Sequence, residues 1–547
     1  MMCHCAYNET FSHDLLLFLT LLQTASRLLL IFACLAATVP HTAQAQILQR
    51  GNGPEPATLD AHKCQEVACG NILRDLYEGL VTEDAHGKLI PGMAQSWSVS
   101  ADGKTWTFKL RPGLKWSNGQ VLDAPQIVAS FRRAFEPMTA APFGELFDAL
   151  LNASDVQSGK KPVAALGVSA PNASTVVFRL SRAAALPGLL ILPIAMPVYL
   201  PAVTEFGSQH TLPGRLVSNG AYALNAWTPQ ANLTLKRNSH FHDARNVRLE
   251  AVRFHVTEDA SAELQRFAAG DLHITEVVPP QPLDSLQKRF GSQLRISPYI
   301  GSFYLGFNLT KPPFKDNLKL RRALSMAVDR DILTKYVAGL GEKPAFGIVP
   351  PGIDGYEPAS VFWSAGKSQD QLNAIARRLY REAGYSAQHP LEIEIRYNTS
   401  TPHRRLALAV ASMWRDTLGV KVRLRNEEWK VFVSNRKQRV ITQVFRGGWI
   451  ADIPDPRNFL AAYASDGPLN WVGLKDPGFT DRIERSDRAT NEKARLLWLR
   501  AAETRLLNQD AVIPLYYYTS KHLVSDKVRG FEANALDHHA SRWMSLQ

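Results

Sequence analysis

The segment 391–424, LEIEIRYNTSTPHRRLALAVASMWRDTLGVKVRL, contains the pattern that decides the fold class. Its first five residues alternate apolar and charged side chains, which is the period of a strand with one buried face. Apolar residues then recur at helical spacing over 406–414, and Gly419 is suited to end that helix. Residues 420–424 alternate again. A strand, a helix of this length and a second strand predict a βαβ unit with parallel strands, and hence an α/β domain.

Other periodic segments lie on both sides of this unit. Residues 106–110 alternate as a strand behind the hairpin turn at 102–103, and 175–180 read as a second strand. Residues 124–135 and 320–333 show helical periodicity. A β-rich region therefore precedes the α/β domain. In open parallel sheets, ligands bind beyond the carboxyl ends of strands and often between domains.

Length and charge limit the class of protein. The 547 residues exceed what one hydrophobic core supports, so we expect two or three domains. The formal net charge is +12, but acidic residues are interspersed with the basic ones. Neither a Lys/Arg run nor a zinc-finger spacing accompanies that charge, so we predict no nucleic-acid partner.

The N-terminal segment has the pattern of a cleavable signal peptide over 1–45. Arg27 precedes an apolar run at 28–39, and small residues flank Gln44 before a cleavage site after Ala45. The run is too short for a permanent membrane anchor. A lipoprotein with Cys34 as the lipid-attachment site is the alternative, although its flanking residues fit that site poorly. We expect an exported, periplasmic protein that is not embedded in the membrane.

Two cysteines, Cys64 and Cys69, follow the predicted signal peptide. In an oxidising compartment a local disulfide between them is the natural hypothesis. A zinc site would need two further ligands, and His62 is the only obvious neighbour. We therefore predict a disulfide and no metal.

Short motifs in a fixed order run along most of the chain. They are PGMAQSW (91–97), DGKTWTF (102–108), LRPGLKWSNG (110–119), NGAY (219–222), KPPF (311–314), YNTS (397–400), NEEWK (426–430), GWIAD (448–452) and PLYYY (514–518). Together they resemble extracellular solute-binding family 5, the oligopeptide-, dipeptide- and nickel-binding proteins of ABC importers. The last four motifs are most similar to those of the periplasmic oligopeptide-binding members.

The resemblance implies a two-lobed α/β clamshell of the periplasmic-binding-protein type (class II-like, cluster C) with an extra β-rich domain. Lobe I would comprise 46–77, 202–300 and 519–547. The extra β-rich domain would be 78–201, and lobe II would be the α/β region 301–518. The family binds and does not catalyse, so the resemblance implies no catalytic residue and no cofactor.

A trap for free peptides needs a fixed carboxylate for the ammonium end and a cation for the carboxylate end, because an unpaired buried charge is costly. The resemblance assigns the ammonium to Asp452 and the carboxylate to Arg446 and His403. By their residue types alone, a loop aspartate and a surface histidine would be the alternatives. The remaining ligand-binding positions that it implies are Trp429, Trp449, Gly448, Phe143, Arg436, Gln65 and Glu66.

Some positions depart from the family pattern. Gly301 and Ile450 occupy the positions of a disulfide in the relatives, so that bridge cannot form here. Gly306 replaces an acidic pocket residue, and Ala338 replaces a lysine that receives the carboxylate of short peptides. With Arg446 kept, we expect a preference for neutral or acidic peptides, including cell-wall peptides.

The predicted function is the peptide-binding component of an ABC importer, a monomer that delivers short peptides to an inner-membrane permease. The alternative within the family is a binder of another solute, such as a cell-wall peptide, a nickel chelate or haem. The alternative from another class is a secreted hydrolase. Neither a Gly-x-Ser-x-Gly elbow nor a His-Glu-x-x-His motif is present in the sequence, so we predict no enzyme.

Overall fold

The computed structural model describes residues 46–279, 281–427, 429–464, 469–489 and 491–547, without the side chains of Trp429 and Lys430. The predicted signal peptide, with its cleavage site at Ala45, lies outside the described residues. Ile47–Gln547 form one unit. None of the helices in the described ranges combines the length and the apolar character needed to span a bilayer.

Runs of strands over 81–110 and 222–255 precede a region, 294–523, in which strands and helices are interspersed. The strands are β1 (Ile47–Gly51), β2 (Val81–Glu83), β3 (Leu89–Pro91), β4 (Ala94–Val99), β5 (Thr105–Leu110), β6 (Val168–Asn172), β7 (Thr175–Arg179), β8 (Tyr222–Thr228), β9 (Asn232–Arg237), β10 (Ala251–His255), β11 (Leu294–Phe307), β12 (Lys343–Pro344), β13 (Glu392–Asn398), β14 (Lys421–Glu427), β15 (Val444–Ile450), β16 (Val512–Leu523), β17 (Val528–Arg529) and β18 (Ser545–Leu546). The α-helices are α1 (Val67–Leu76), α2 (Ala124–Phe135), α3 (Ala153–Gln157), α4 (Leu200–Phe206), α5 (Ala260–Ala269), α6 (Leu283–Phe290), α7 (Leu318–Met326), α8 (Arg330–Ile332), α9 (Gln369–Glu382), α10 (Thr401–Leu418), α11 (Trp429–Gln438), α12 (Pro456–Leu460), α13 (Pro477–Arg488) and α14 (Glu492–Asn508).

Three larger sheets organise these elements. One has the order β1-β10-β9-β8, a second has the order β4-β5-β7-β6, and a six-stranded sheet has the order β12-β16-β11-β15-β13-β14. The predicted βαβ unit is confirmed: β13 and β14 are parallel in continuous register, and α10 connects them. Gly419 ends α10 with a φ of 75°, a left-handed conformation that glycine adopts without strain. The fold is a mixed α/β architecture.

The helix predicted over 320–333 is wrong in one respect, because it is broken after Met326. Asp329 caps the next helix, since its side chain accepts a hydrogen bond from the backbone N–H of Ile332. Arg330 is buried, and its guanidinium donates to backbone carbonyls, including those of Ala345 and Pro514. Capping by an aspartate inside an apolar pattern is a side-chain effect that periodicity does not register.

Two long strands run through the predicted limits of lobe II. Gly301 lies inside β11 and Tyr518 lies inside β16, and the two strands pair with each other. Their register shifts between Pro298 and Ser302, where three residues of β11 (299–301) stand opposite one residue of β16, Tyr518. The backbone therefore passes from the region of lobe I into that of lobe II along strands with a local irregularity, and not through a linker.

The β-rich region 78–201 is attached to lobe I by buried ion pairs. Arg133 on α2 donates to both carboxylate oxygens of Asp60, at 3.0 and 2.6 Å. Glu78 accepts from Arg542 at 2.5 Å and contacts His242 at 2.6 Å. Because pairs of this kind destabilise a protein when one partner is removed, this interface is suited to hold the two parts together.

Candidate ligand-binding site

A cavity of about 1140 Å³ lies between the region 78–201 and lobe II. The side of 78–201 contributes Phe143, Glu145 and Leu189 to its lining, among others. Lobe II contributes Arg436, Trp449, Asp452, Asn458 and Trp471. The cavity is large for a binding pocket, and it brings together four predicted site residues: Asp452, Trp449, Arg436 and Phe143.

Asp452 follows the end of β15 and is partly buried in the cavity wall. Burial raises the pKa of its carboxyl group, and the like charge of Glu145 acts in the same direction, while a hydrogen bond with Asn458 opposes the shift. Asp452 forms no ion pair with any described residue. The carboxylate is therefore partly desolvated without a cationic partner among the described residues, which makes it a candidate partner for a ligand cation.

Arg436 presents the opposite charge to the same cavity. Its Cζ atom lies 3.5 Å from the centroid of the Trp471 ring and 5.1 Å from that of Phe432. Burial lowers the pKa of Arg436 to about 10, with the Arg446 guanidinium acting in the same direction. Its Nε is buried and has no hydrogen-bond partner among the described residues. A ligand carboxylate would supply both the charge and the acceptor.

Tryptophan rings connect these two charges along the wall. The indole Nε1 of Trp449 donates to Asn458 Oδ1 at 2.6 Å, and Asn458 is also the residue that hydrogen bonds to Asp452. The centroids of Trp449 and Trp471 are 6.5 Å apart. The wall of lobe II thus carries a carboxylate, an aromatic surface and a guanidinium.

Several other charges that line the cavity form ion pairs with one another, whereas Glu145 and Lys437 are exposed to solvent. Arg495 contacts Asp455 at 2.5 Å, and Arg457 contacts Asp487 at 2.6 Å. Arg182, from the opposing side, reaches Asp487 at 3.5 Å. Since these side chains satisfy one another, they shape the cavity but do not require a ligand charge.

Arg446 and His403 lie on the other face of β15. Side chains alternate along a strand, so Arg446 and Trp449 point to opposite sides of the sheet. The Nε of Arg446 donates to Asn398 Oδ1 at 2.8 Å, and His403 Nδ1 donates to the same oxygen at 3.0 Å. Burial, together with the Arg446 guanidinium, lowers the pKa of His403 to about 4. His403 is therefore neutral near pH 7, and neither residue lines the 1140 Å³ cavity.

The other predicted positions have separate locations. A Cβ atom on Gly448 would stand 2.9 Å from the Tyr518 hydroxyl, so glycine permits this close packing. Gln65 is exposed, and Glu66 accepts a hydrogen bond from Ala57 N at 2.9 Å outside the cavity lining. The side chain of Trp429 lies outside the described residues.

Cys64 and Cys69 are joined in a disulfide at the start of α1. Gly301 and Ile450, the two departures from the cysteine positions of the relatives, stand directly opposite each other on β11 and β15. Gly306 packs against the Phe445 ring, where an added Cβ would come within 2.4 Å of Cζ, so this position is part of the core.

Three residues of the site were not singled out by sequence reasoning. Asn398 stands in the YNTS motif and holds both Arg446 and His403. Asn458 links Trp449 to Asp452, and Trp471 stacks on Arg436. The motif position was a usable signal for Asn398, whereas Asn458 and Trp471 stand out only once the chain is folded.

A cavity between lobes, with uncompensated charges of both signs on one wall, defines a solute-binding protein. Residues 88–471 match the model of the family "Bacterial extracellular solute-binding proteins, family 5 Middle". The chain belongs to this family. It is 36% identical over 521 residues to the periplasmic oligopeptide-binding protein OppA of Escherichia coli K12, covering 94% of this chain and 95% of that protein.

Solved structures give the same result. The chain superposes on the unliganded open form of the murein tripeptide-binding protein MppA with a TM-score of 0.84 and 34% identity, covering 92% of this chain and 98% of the other. It superposes on Haemophilus influenzae OppA in complex with the peptide RPPGFSPFR with a TM-score of 0.72 and 31% identity, covering 92% and 100%. The two-lobed fold predicted from sequence is confirmed.

Proposed function

We propose that this protein is the peptide-binding component of an ABC importer and that it captures short peptides in the cavity between the region 78–201 and lobe II. The observation that carries the proposal is the pair of uncompensated charges, Asp452 and Arg436, on one cavity wall. A free peptide is a zwitterion with an ammonium at one end and a carboxylate at the other. It matches both charges at once.

The energetics favour a ligand that satisfies both ends. A bare ammonium or carboxylate sealed from water is costly unless it meets an opposite charge with hydrogen bonds. Asp452 and Arg436 are already partly desolvated in the unliganded protein, so folding has supplied part of that cost before the peptide arrives. Their desolvation makes the wall selective for charged termini and indifferent to the side chains between them.

The proposed contacts differ from those predicted from the sequence in the residue that receives the peptide carboxylate. We assign the ammonium to Asp452 and the carboxylate first to Arg436, because Arg446 and His403 face the other side of the sheet. Trp449 and Phe143 supply opposed aromatic surfaces for side chains. Arg446 supports this end of the site through its positive field, whereas the one N–H of a neutral His403 already donates to Asn398 and is not available to a ligand carboxylate.

Capture would require the lobes to close. The strands β11 and β16 are the connections whose register shift can absorb a change in twist. Two MppA structures with the same 34% identity to this chain give TM-scores of 0.84 for the unliganded open form and 0.75 for the other, which supports an open state for this structure. Export to the periplasm, delivery to an inner-membrane permease, a monomeric state and the lack of catalysis complete the proposal.

Calorimetry with a matched peptide set tests the proposal. Untagged protein, refolded to remove trapped ligand, would be titrated with Ala-Ala-Ala, its N-acetyl derivative and its C-terminal amide. We expect saturable 1:1 binding of the free peptide and weaker binding of both blocked forms. Equal binding of all three would contradict recognition of the termini, and hydrolysis of the free peptide during incubation would contradict the lack of catalysis.

A further inference from the structure

A second polar cluster lies outside the peptide cavity, where the C-terminal loop packs against β16. It consists of His522, Asp537 and His539, whose candidate ligand atoms all lie within 4.8 Å of one another. Asp537 Oδ1 is 2.9 Å from the Nε2 atoms of both histidines. We propose that these three side chains bind one Zn²⁺ ion.

Contacts outside the cluster hold both imidazole rings in place. The Nδ1–H of His522 donates to the carbonyl of Thr275 at 2.9 Å, so that Nε2 is the nitrogen directed at the cluster. This arrangement is the usual second contact of a metal-binding histidine, because it sets the tautomer and the ring plane. The His539 ring stacks on Phe531 with centroids 3.9 Å apart. Both rings already direct Nε2 towards Asp537, the third proposed ligand.

The donor set suits zinc. Two imidazoles and one carboxylate make three protein ligands and leave one position of a tetrahedron for water. Ligand atoms around a tetrahedral Zn²⁺ stand about 3.3 Å apart, given bonds of about 2.0 Å. The separations of 2.9 Å would therefore need to widen only slightly. The Asp537 side chain is 20% exposed, which gives an ion a route from solvent.

The surrounding charges also favour a dication. Glu276 is partly buried beside the cluster and interacts electrostatically with both Asp537 and His522, and burial raises its pKa to about 7. Arg50 is nearby, but Asp75 is its strongest electrostatic partner, and its guanidinium donates to the carbonyl of His539 at 2.6 Å. Two carboxylates, Glu276 and Asp537, therefore stand beside the two imidazoles.

The position of the cluster gives the ion a structural consequence. The same loop accepts a hydrogen bond from the backbone N–H of Ile300 at the carbonyl of Ala535, at 2.6 Å, within the stretch of β11 where the register shifts. An ion held by His522 on β16 and by two residues of the loop would tie the C-terminal loop to both connecting strands. The proposal does not depend on the identity of the solute in the cavity.

The test uses the full mature chain without a histidine tag. Protein treated with a chelator would be incubated with excess Zn²⁺, desalted and analysed for bound zinc, and its thermal unfolding would be followed with and without Zn²⁺. We expect one zinc ion per chain and a higher unfolding midpoint with zinc, because an ion that binds the folded state stabilises it. In His539→Gln and Asp537→Asn, zinc affinity should fall at least about tenfold.

His538→Gln is the matched control, because His538 lies in the same loop but contacts Glu83 and not the cluster. It should retain one zinc ion per chain. Three outcomes would overturn the proposal: no zinc retained by the wild type, zinc retained equally by the cluster variants, or cluster variants that lose stability equally with and without zinc. The last outcome would identify the cluster as a hydrogen-bond network only.

Discussion

Asp452 is a partly buried carboxylate and Glu503 a fully buried one, and their surroundings differ. Glu503 lies in the core of lobe II, where it accepts hydrogen bonds from the backbone N–H groups of Ile348, Val349 and Ala359 and from the Tyr356 hydroxyl, at 2.7 to 3.0 Å. Asp452 has an asparagine neighbour and no cation among the described residues. A satisfied buried charge organises the chain around itself, whereas an unsatisfied charge at a cavity wall is available to a ligand.

The largest expected difference between Asp452 and Glu503 is the effect of their substitution on peptide affinity. Asp452→Asn should weaken binding of a free tripeptide by about 2 to 5 kcal/mol, because the peptide ammonium would lose the anionic partner proposed for it. The free energy of unfolding should stay the same or rise, since an uncompensated buried charge is removed. Calorimetry and urea titration measure the two quantities.

Glu145→Gln is the matched control for that variant, because Glu145 is an exposed acid across the same cavity. Its affinity for the peptide should be nearly unchanged. If Asp452→Asn binds as tightly as Glu145→Gln, then Asp452 is not the ammonium partner.

The next effect concerns the other end of the peptide. Arg436→Met should lose about 1.5 to 3 kcal/mol of affinity for a tripeptide with a free carboxylate, which is the range for hydrogen bonds to charged groups. The same change should hardly affect the C-terminal amide, because the amide has no charge to pair. Titration of both ligands into both proteins gives the coupling directly, and a coupling near zero would assign the carboxylate to another cation, with Arg446 the first to examine.

The converse variant changes stability and leaves binding intact. Glu503→Gln should lower the free energy of unfolding by about 1 to 3 kcal/mol, because an amide cannot accept from all four donors at once and brings two donors of its own. Peptide affinity should remain within error, since Glu503 does not line the cavity. A variant with normal stability would show that the loop around 345–360 does not depend on this carboxylate.

The smallest expected effect is that of pH on peptide affinity. Burial raises the pKa of Asp452, and pairing with an ammonium would lower it. At a pH between these two pKa values, peptide binding should therefore release a proton. Affinity should therefore decrease as the pH falls and Asp452 is protonated, and it should also decrease above about pH 8, where the peptide ammonium loses its proton. His403, with a pKa lowered to about 4, is neutral near pH 7. In Asp452→Asn the decrease attributable to this carboxyl group should disappear.

Local patterns in the sequence predicted much of the fold. The alternation at 391–395 and 420–424, together with the helix between them, gave the parallel pair β13 and β14. The break after Met326 was missed because it depends on the Asp329 cap and on the inward turn of Arg330, which are tertiary contacts. Periodicity reports which face is apolar and not where a polar side chain finds its partner.

The site was predictable in composition but not in arrangement. Motifs indicated Asp452, Trp449, Arg436 and Phe143, and these residues do line one cavity. The placement of Arg446 on the opposite face follows from the pairing of β15 with β11, where Arg446 stands opposite Leu305. That register is set by contacts between segments about 140 residues apart, which no local window contains.

The sharing of β11 and β16 between the lobes bears on the order in which the chain can mature. Val524, Val528 and Met544 are core residues of the lobe that contains β1, and Asp75 accepts a hydrogen bond from the backbone N–H of Ser541. Residues that lie about 470 positions apart in the sequence therefore complete one core. This lobe can finish folding only after the segment 524–544 has been synthesised, so a nascent chain that lacks this segment holds the lobe in an incomplete state.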